Sequence, residues 1–378
     1  VLTAFHAWIK DRRNRLLADA RFQRMAARYW PLRSIARRRA VDLFDLCAGF
    51  VYSQVLYACV ELDLLTQLQA GPKSVAQLQP DSGLSWQALQ RLMLAAAALD
   101  LLEQRGEEQF ALGAQGAAML ANPGIAVMVR HHRHLYQDLT DPLAMLQRQQ
   151  QPTHLQRFWR YALDNADSEQ APAHAAGDYQ LYSELMASSQ HMVADQVLSA
   201  YDFSSHRRLL DVGGGVGEFL QRVGQRYPQL DLGLFDLPPV IAQARQRAQA
   251  GGSEPSDFFS GDFQHDELPT GFDLITLVRV LHDHDDALVQ QLLAKCAQAL
   301  PADGCLLIAE PLAQTPGAKA MGDAYFGLYL YAMGQGRPRS FKEYQGFLKQ
   351  AGFQRVRLLQ TSIPMLCSLV VATVKKKV

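Results

Sequence analysis

Cysteine is scarce. Five are spread through 378 residues (Cys47, Cys59, Cys296, Cys305, Cys367), with no C-x-x-C spacing. That excludes a disulfide framework and a Cys-type zinc site, and fits a reducing compartment. Net charge is also lacking, with 37 Lys+Arg against 37 Asp+Glu. No internal repeat or Gly-X-Y period points to a fibre. The longest apolar stretch, residues 46–60, contains Ser53 and Gln54 and falls short of the roughly 18 residues of a membrane span. The N-terminus is basic but lacks an uninterrupted apolar run, so no secretory leader is expected in it.

What is present is unevenly placed. Residues 1–40 hold eleven Lys or Arg and only two acids, Asp11 and Asp19. The rest of the chain carries the opposite surplus. An acidic body argues against a nucleic-acid partner, while a basic arm suits an anionic surface. Residues 1–40 read as amphipathic helices broken at Pro31. Residues 43–65 are helical in period and too apolar for a lone surface helix. Burial is expected, within the chain or against a second copy.

Residues 41–122 have a helix–helix–hairpin layout. Ser74 caps a short helix, Ser85 caps a longer one over residues 86–102, and residues 103–112 read as a hairpin turning at Gly106. That is a winged-helix pattern. Its second helix offers only Arg91 as a base, so packing or dimerisation is expected in place of DNA binding. Residues 123–200 read as a helical connector, with a loop at residues 164–177. Its histidines, His131, His132 and His134, have no ligand partners at a metal-binding spacing and read as solvated or capping residues; no metal is expected.

From residue 201 to 378 the period changes. Short apolar runs near residues 208–212, 230–236, 272–278 and 305–310 alternate with helical stretches. The fold class expected is α/β: a doubly wound parallel sheet behind the N-terminal helical domain. The first run ends in Asp211-Val-Gly-Gly-Gly-Val-Gly. Its spacing, Gly213-x-Gly215-x-Gly217, lacks the third small residue of a dinucleotide fingerprint, because Glu218 stands there. The second run ends in Phe235-Asp236. A carboxylate there can accept both hydroxyls of a ribose, so loop and acid together predict a nucleoside ligand without a pyrophosphate.

These motifs resemble those of class I S-adenosylmethionine-dependent methyltransferases, and within them the small-molecule O-methyltransferases related to plant caffeate-type enzymes. Gly261-Asp262-Phe263, the run Val280 to Asp286, the run Leu300 to Glu310 and the run Gly336 to Tyr344 agree in order. The likeness covers residues 43–374. The basic arm and the aromatic residues 324–333 are similar to one bacterial branch, the acyclic carotenoid hydroxyl O-methyltransferases of purple photosynthetic bacteria.

The resemblance implies S-adenosylmethionine as cofactor, a homodimer, and a Rossmann-like catalytic domain. Asp211, Gly213, Gly215 and Gly217 would lie at the cofactor, Asp236 at its ribose, and Asp262 and Phe263 at its adenine. His282 matches the general base and Glu310 one of two acids that orient it. The other acid falls at Pro338, so Asp283 or Glu343 must substitute or the pair is halved. A family lysine falls at Val278, and Arg279 beside it either contacts the cofactor or pairs with an acid. Met186 matches a methionine near the methyl centre. Tyr325, Phe326, Tyr329 and Met333, with Tyr331, would wall a pocket for a long hydrophobic acceptor. The acceptor so implied is an acyclic carotenoid alcohol of the demethylspheroidene or hydroxyneurosporene type. The rivals are a polyketide, a phenolic or a bacteriochlorophyll precursor, and, from another class, a winged-helix regulator that senses the cofactor. A cytoplasmic protein is expected, its arm meeting the inner or photosynthetic membrane.

Overall fold

The computed structural model describes residues 2–149, 152–158, 190–249 and 255–375. Met186 and the loop expected at residues 164–177 lie outside them. The chain forms two compact units, Val1–Asn122 and Pro123–Val378.

The first unit opens with helices Leu2–Ala18, Ala20–Arg28 and Trp30–Glu61. The breaks fall at Asp19 and Tyr29, not at Pro31. Asp19 leaves helical geometry and its carboxylate accepts the Arg21 backbone N–H at 2.7 Å. Pro31 sits in the first turn of the third helix, where its missing N–H would have had no partner. That helix runs unbroken through residue 40, so arm and following domain share one rod.

Within the chain, the expected burial of residues 43–65 is met only towards the end of the stretch, where Cys59, Val60, Leu64 and Leu65 are buried. Leu43, Phe44, Leu46 and Phe50 are 64–80% exposed. Among the described residues no element covers them. With its preceding residues the helix is also long and apolar enough to cross a membrane by length and composition. The apolar stretch of residues 46–60 understated it.

The rest of this unit follows local signals. Ser74 and Gln77 form a capping box on helix Val75–Ser82, and Ser85 caps Trp86–Ala98. Strands β1 (Lys73–Ser74), β2 (Leu102–Arg105) and β3 (Gln109–Leu112) pair in the order β1-β3-β2. Gly106 turns the hairpin at φ 72°. Leu64, Leu78, Leu89, Met93 and Phe110 close the core.

The second unit holds a seven-stranded sheet. Its strands are β4 (Arg208–Val212), β5 (Asp231–Asp236), β6 (Asp257–Ser260), β7 (Leu274–Val278), β8 (Cys305–Glu310), β9 (Phe353–Leu359) and β10 (Ser368–Val374). The order is β6-β5-β4-β7-β8-β10-β9, and β10 alone runs antiparallel to its neighbours. Val, Ile and Leu fill β7 and β8, both buried along their full length as central parallel strands require. Apolar clusters pack on both sheet faces.

The chain leaves β4 for β5 on one side and returns to β7 on the other. The carboxyl ends of β4 and β7 therefore frame a switch-point crevice, the place where such sheets hold ligands. Helices Pro123–Asp138 and Pro142–Leu146, with helical residues 154–158 and 190–200, precede the sheet in the same unit.

Candidate active site

The crevice begins with the loop after β4. Gly213, Gly215 and Gly217 all have positive φ (70°, 61° and 84°), which side chains with a Cβ rarely adopt. A Cβ on Gly213 would also lie 3.0 Å from Val280, at the start of the turn after β7. A Cβ on Gly215 would meet nothing within 4 Å, so its backbone faces open space.

Asp236, at the end of β5, accepts the Gly215 N–H at 2.8 Å and the Leu237 N–H at 2.7 Å. These bonds fix the carboxylate, while burial pushes its pKa up. Asp211 is 1% exposed. Its Oδ1 accepts the Thr276 hydroxyl at 2.6 Å, and its Oδ2 has no hydrogen-bond partner. Burial pushes this carboxyl up to about 7, opposed by Thr276 and helped by Asp236. An orphaned buried acceptor beside an open glycine loop fits a ligand with donors, as an aminoacyl nucleoside has. These residues therefore suit S-adenosylmethionine: Asp236 its ribose, and the loop with Asp211 its amino-acid portion.

Asp262 and Phe263 follow β6. Asp262 is engaged in its own turn: Oδ1 accepts the Gln264 N–H at 2.8 Å and Oδ2 lies 2.9 Å from His265 Nδ1. Burial pushes its pKa up, but these bonds outweigh it and hold the carboxyl below its ordinary value. The Phe263 ring would lie 3.8 Å from a Cβ on Gly213 and packs edge-on to His284. The ring thus borders the glycine loop, while the acid is also a turn residue.

Across the crevice, β7 ends in Arg279 and the short 3-10 turn Leu281–Asp283. The turn buries His282, which is 4% exposed. Its Nδ1 is hydrogen-bonded to Glu310 Oε2, at the end of β8. The other Glu310 oxygen accepts the backbone N–H groups of Val280 (3.0 Å), Leu281 (2.8 Å) and His282 (3.4 Å). One carboxylate thus holds both the ring and the turn that carries it. His282 Nε2 lies 3.3 Å from Asp283 Oδ1. Burial disfavours the charged ring, but Asp283 and Glu310 outweigh it and hold His282 above the usual imidazole value.

Of the two acids expected to substitute at the Pro338 position, Asp283 lies beside the imidazole. Glu343 instead closes a capping box with Ser340 and pairs with Arg337 at 2.8 Å. Arg279 adopts φ 58° and lays its guanidinium over the Phe326 ring, 5.6 Å from the centroid. Among the described residues no ion pair to Arg279 is formed.

A π-helical turn, Ala320–Tyr325, and helix Phe326–Met333 carry the aromatic residues. Phe326 reaches the His282 ring edge-on, with centroids 6.3 Å apart. Tyr325 stacks on Tyr329 at 5.7 Å. Tyr329 and Met333 belong to a cluster with Leu135, Met145 and Leu155. Tyr331 turns away and donates to the Leu146 carbonyl at 2.7 Å.

The histidines of helix Pro123–Asp138 are not the solvated or capping residues expected. His131 is fully buried, with Nε2 2.8 Å from the Tyr329 hydroxyl, and His132 Nε2 lies 2.7 Å from the Tyr325 hydroxyl. Burial pushes their pKa values down to about 3 and about 4, so both are neutral across the physiological range. No local signal marks them, because their partners lie 198 and 193 residues away. Among the described residues, no group of three His, Cys, Asp or Glu is placed to hold a metal.

Comparison with known proteins agrees with this geometry. Residues 136–354 match the O-methyltransferase domain family, and residues 44–122 match the O-methyltransferase dimerisation domain. Demethylspheroidene O-methyltransferase of Cereibacter sphaeroides is 42% identical over 95% of this chain and 93% of the relative. Acetylserotonin O-methyltransferase of Mus musculus is 31% identical over 86% of this chain and 87% of the relative. Among solved structures, CalO1, a methyltransferase of calicheamicin biosynthesis in its SAH-bound form, superimposes with a TM-score of 0.69. It is 25% identical and covers 90% of this chain and 98% of its own.

Proposed function

The chain belongs to the S-adenosylmethionine-dependent O-methyltransferases, and on that footing we propose that its acceptor is the hydroxyl of an acyclic carotenoid of the demethylspheroidene or hydroxyneurosporene type. The observation that carries the acceptor is the 42% identity, over nearly the whole chain, to a relative named for that substrate. The wall of Phe326, Tyr325 and Tyr329 beside His282 supports it, since a long apolar acceptor needs an apolar, aromatic lining.

When bound, S-adenosylmethionine would supply an electrophilic methyl on a sulfonium, and the glycine loop and Asp236 would hold it. The protein's task is then to hold the acceptor oxygen in line and remove its proton. Glu310 is an acceptor, so Nδ1 of His282 carries the ring proton and Nε2, beside Asp283, is the nitrogen that takes another. An aliphatic alcohol is far too weak an acid to be ionised beforehand by an imidazole. His282 takes the proton as the carbon–oxygen bond forms. The resulting imidazolium lies between Glu310 and Asp283, which stabilise its charge. Buried residues around the pair exclude water, which strengthens that stabilisation.

The match to the dimerisation domain supports a homodimer, and the acceptor is a small molecule. We assign it to the cytoplasm, with the basic arm resting on the inner or photosynthetic membrane, where a lipid-soluble acceptor resides. Exposed Phe5, Trp8 and Ile9 alongside Lys10, Arg12 and Arg13 support that contact.

The test is transfer of labelled methyl to hydroxyneurosporene or demethylspheroidene in detergent, with His282→Ala beside wild type. Labelled methoxy product is expected, with a loss of ~10²-fold or more in the variant. Product only from phenols or polyketides would discard the carotenoid and keep the enzyme class.

A further inference from the structure

The side chain that holds the candidate base in place from behind is an arginine that no motif reading singled out. Arg339 is the largest fully buried side chain among the described residues, and its guanidinium has no exposure to solvent. A buried cation is costly unless each donor is matched. Here Nη1 donates to the Leu281 carbonyl at 2.8 Å, Nη2 to the His284 carbonyl at 2.7 Å, and Nε to Asp286 Oδ1 at 2.9 Å. Leu281 and His284 are the residues on either side of His282 and Asp283. The planar fork of a guanidinium therefore ties both ends of the turn to one rigid group, which a lysine's single point charge cannot do.

A second observation places the same loop against the same turn. A Cβ on Gly336 would lie 2.3 Å from the His282 carbonyl oxygen and 2.9 Å from the Asp283 Cα. Only glycine lets the two backbones approach so closely.

We infer that Arg339, seated by Gly336 and Asp286, is a positioning residue for methyl transfer. It fixes the turn so that Asp283, from the turn itself, stays beside the imidazole. The groups facing His282 are then Glu310 from β8, Asp283 and His284 from its own turn, Arg279 from the end of β7, and Phe326 from the aromatic helix. Arg339 touches none of the reacting atoms and acts through the backbone of residues 281 and 284.

This rests on His282 as the base, so the experiment is a double-mutant cycle. Arg339→Met, Arg339→Lys and Asp286→Asn are assayed alone and in the His282→Ala background. Melting temperature and calorimetric affinity for S-adenosylhomocysteine are measured in parallel. Arg339→Met is expected to lower kcat by ~10²-fold, the cost of misplacing a reacting group by about an ångström. The KM for cofactor and the S-adenosylhomocysteine affinity should hold within about twofold, because the glycine loop is untouched. Arg339→Lys should recover part of the loss. Asp286→Asn, at a half-exposed site, should fold and lose roughly tenfold, so the idea stays testable if Arg339→Met does not fold. In the His282→Ala background none of these changes should cost further activity. Additive losses, or a fall in cofactor affinity equal to the fall in kcat, would make Arg339 a merely structural residue. Normal turnover of His282→Ala alone would instead overturn the base assignment.

Discussion

His282 and Glu310 stand 28 residues apart and meet as a buried hydrogen-bonded pair because β7 and β8 lie side by side and parallel in the sheet. Glu310 also takes three backbone N–H groups of the His282 turn, so its charge is fixed before any ligand arrives. Its removal should therefore act on both proton affinity and geometry. Glu310 helps hold the His282 pKa above the ordinary value. Glu310→Gln should then move the acidic limb of the kcat profile to lower pH, while lowering kcat at its plateau by ~10-fold or more. The check is kcat at saturating substrates from about pH 5 to about pH 9. A limb that stays in place would mean another group titrates there.

The same pair predicts a stability effect of definite sign. A histidine whose folded pKa is raised contributes stability that is complete below its unfolded value, about 6.5. That contribution is lost as pH rises through the raised folded value. The melting temperature of wild type should thus exceed that of His282→Gln most at acidic pH, and the gap should shrink in alkali. Scanning calorimetry at several pH values measures it, and a gap widening with pH would contradict the assigned direction.

For the cofactor site, Asp236→Ala should weaken S-adenosylhomocysteine binding by ~10–100-fold, the worth of hydrogen bonds to a charged acceptor. It should also loosen the glycine loop, because the Asp236 carboxylate holds the Gly215 N–H. Gly213→Ala should weaken binding as well, since its φ of 70° strains any other residue and Val280 stands in the way. Isothermal titration gives both affinities directly. Unchanged affinity in Asp236→Ala would remove the ribose assignment.

The apolar face left open on Trp30–Glu61 should be covered by the second copy. Leu46 and Phe50, 80% and 73% exposed in the single chain, are the points to charge. Leu46→Glu with Phe50→Glu should shift light-scattering mass from dimer to monomer, since two buried unpaired charges are not tolerated in an interface core. A persistent dimer would place the contact elsewhere.

The arm assignment predicts binding to anionic vesicles and not to neutral ones. Replacing Arg37, Arg38 and Arg39 by Glu should abolish sedimentation with phosphatidylserine vesicles, each lost base near the surface removing about 1 kcal/mol. Turnover of detergent-solubilised acceptor should be unaffected. Equal binding before and after the change would discard the membrane role.

Sequence alone determined what depends on neighbours along the chain. The caps at Ser74 and Ser85, the hairpin at Gly106, the period of the βαβ runs and the glycine loop with Asp236 follow from turn chemistry and side-chain alternation within a few residues. The breaks at Asp19 and Tyr29 were less legible than Pro31, because proline is accepted in a first helical turn. Tertiary structure decided which distant residues meet. It engaged Glu343 with Ser340 and Arg337 and left the imidazole to its sequence neighbour Asp283, buried Arg339 behind the His282 turn, and sank His131 and His132 against Tyr329 and Tyr325. It also left Leu46 and Phe50 uncovered, since whether an apolar residue is buried depends on what the rest of the chain can lay over it. Period and turn chemistry act over one or two turns of chain. Burial and charge pairing are settled only when strands and helices from far apart in sequence close on one another.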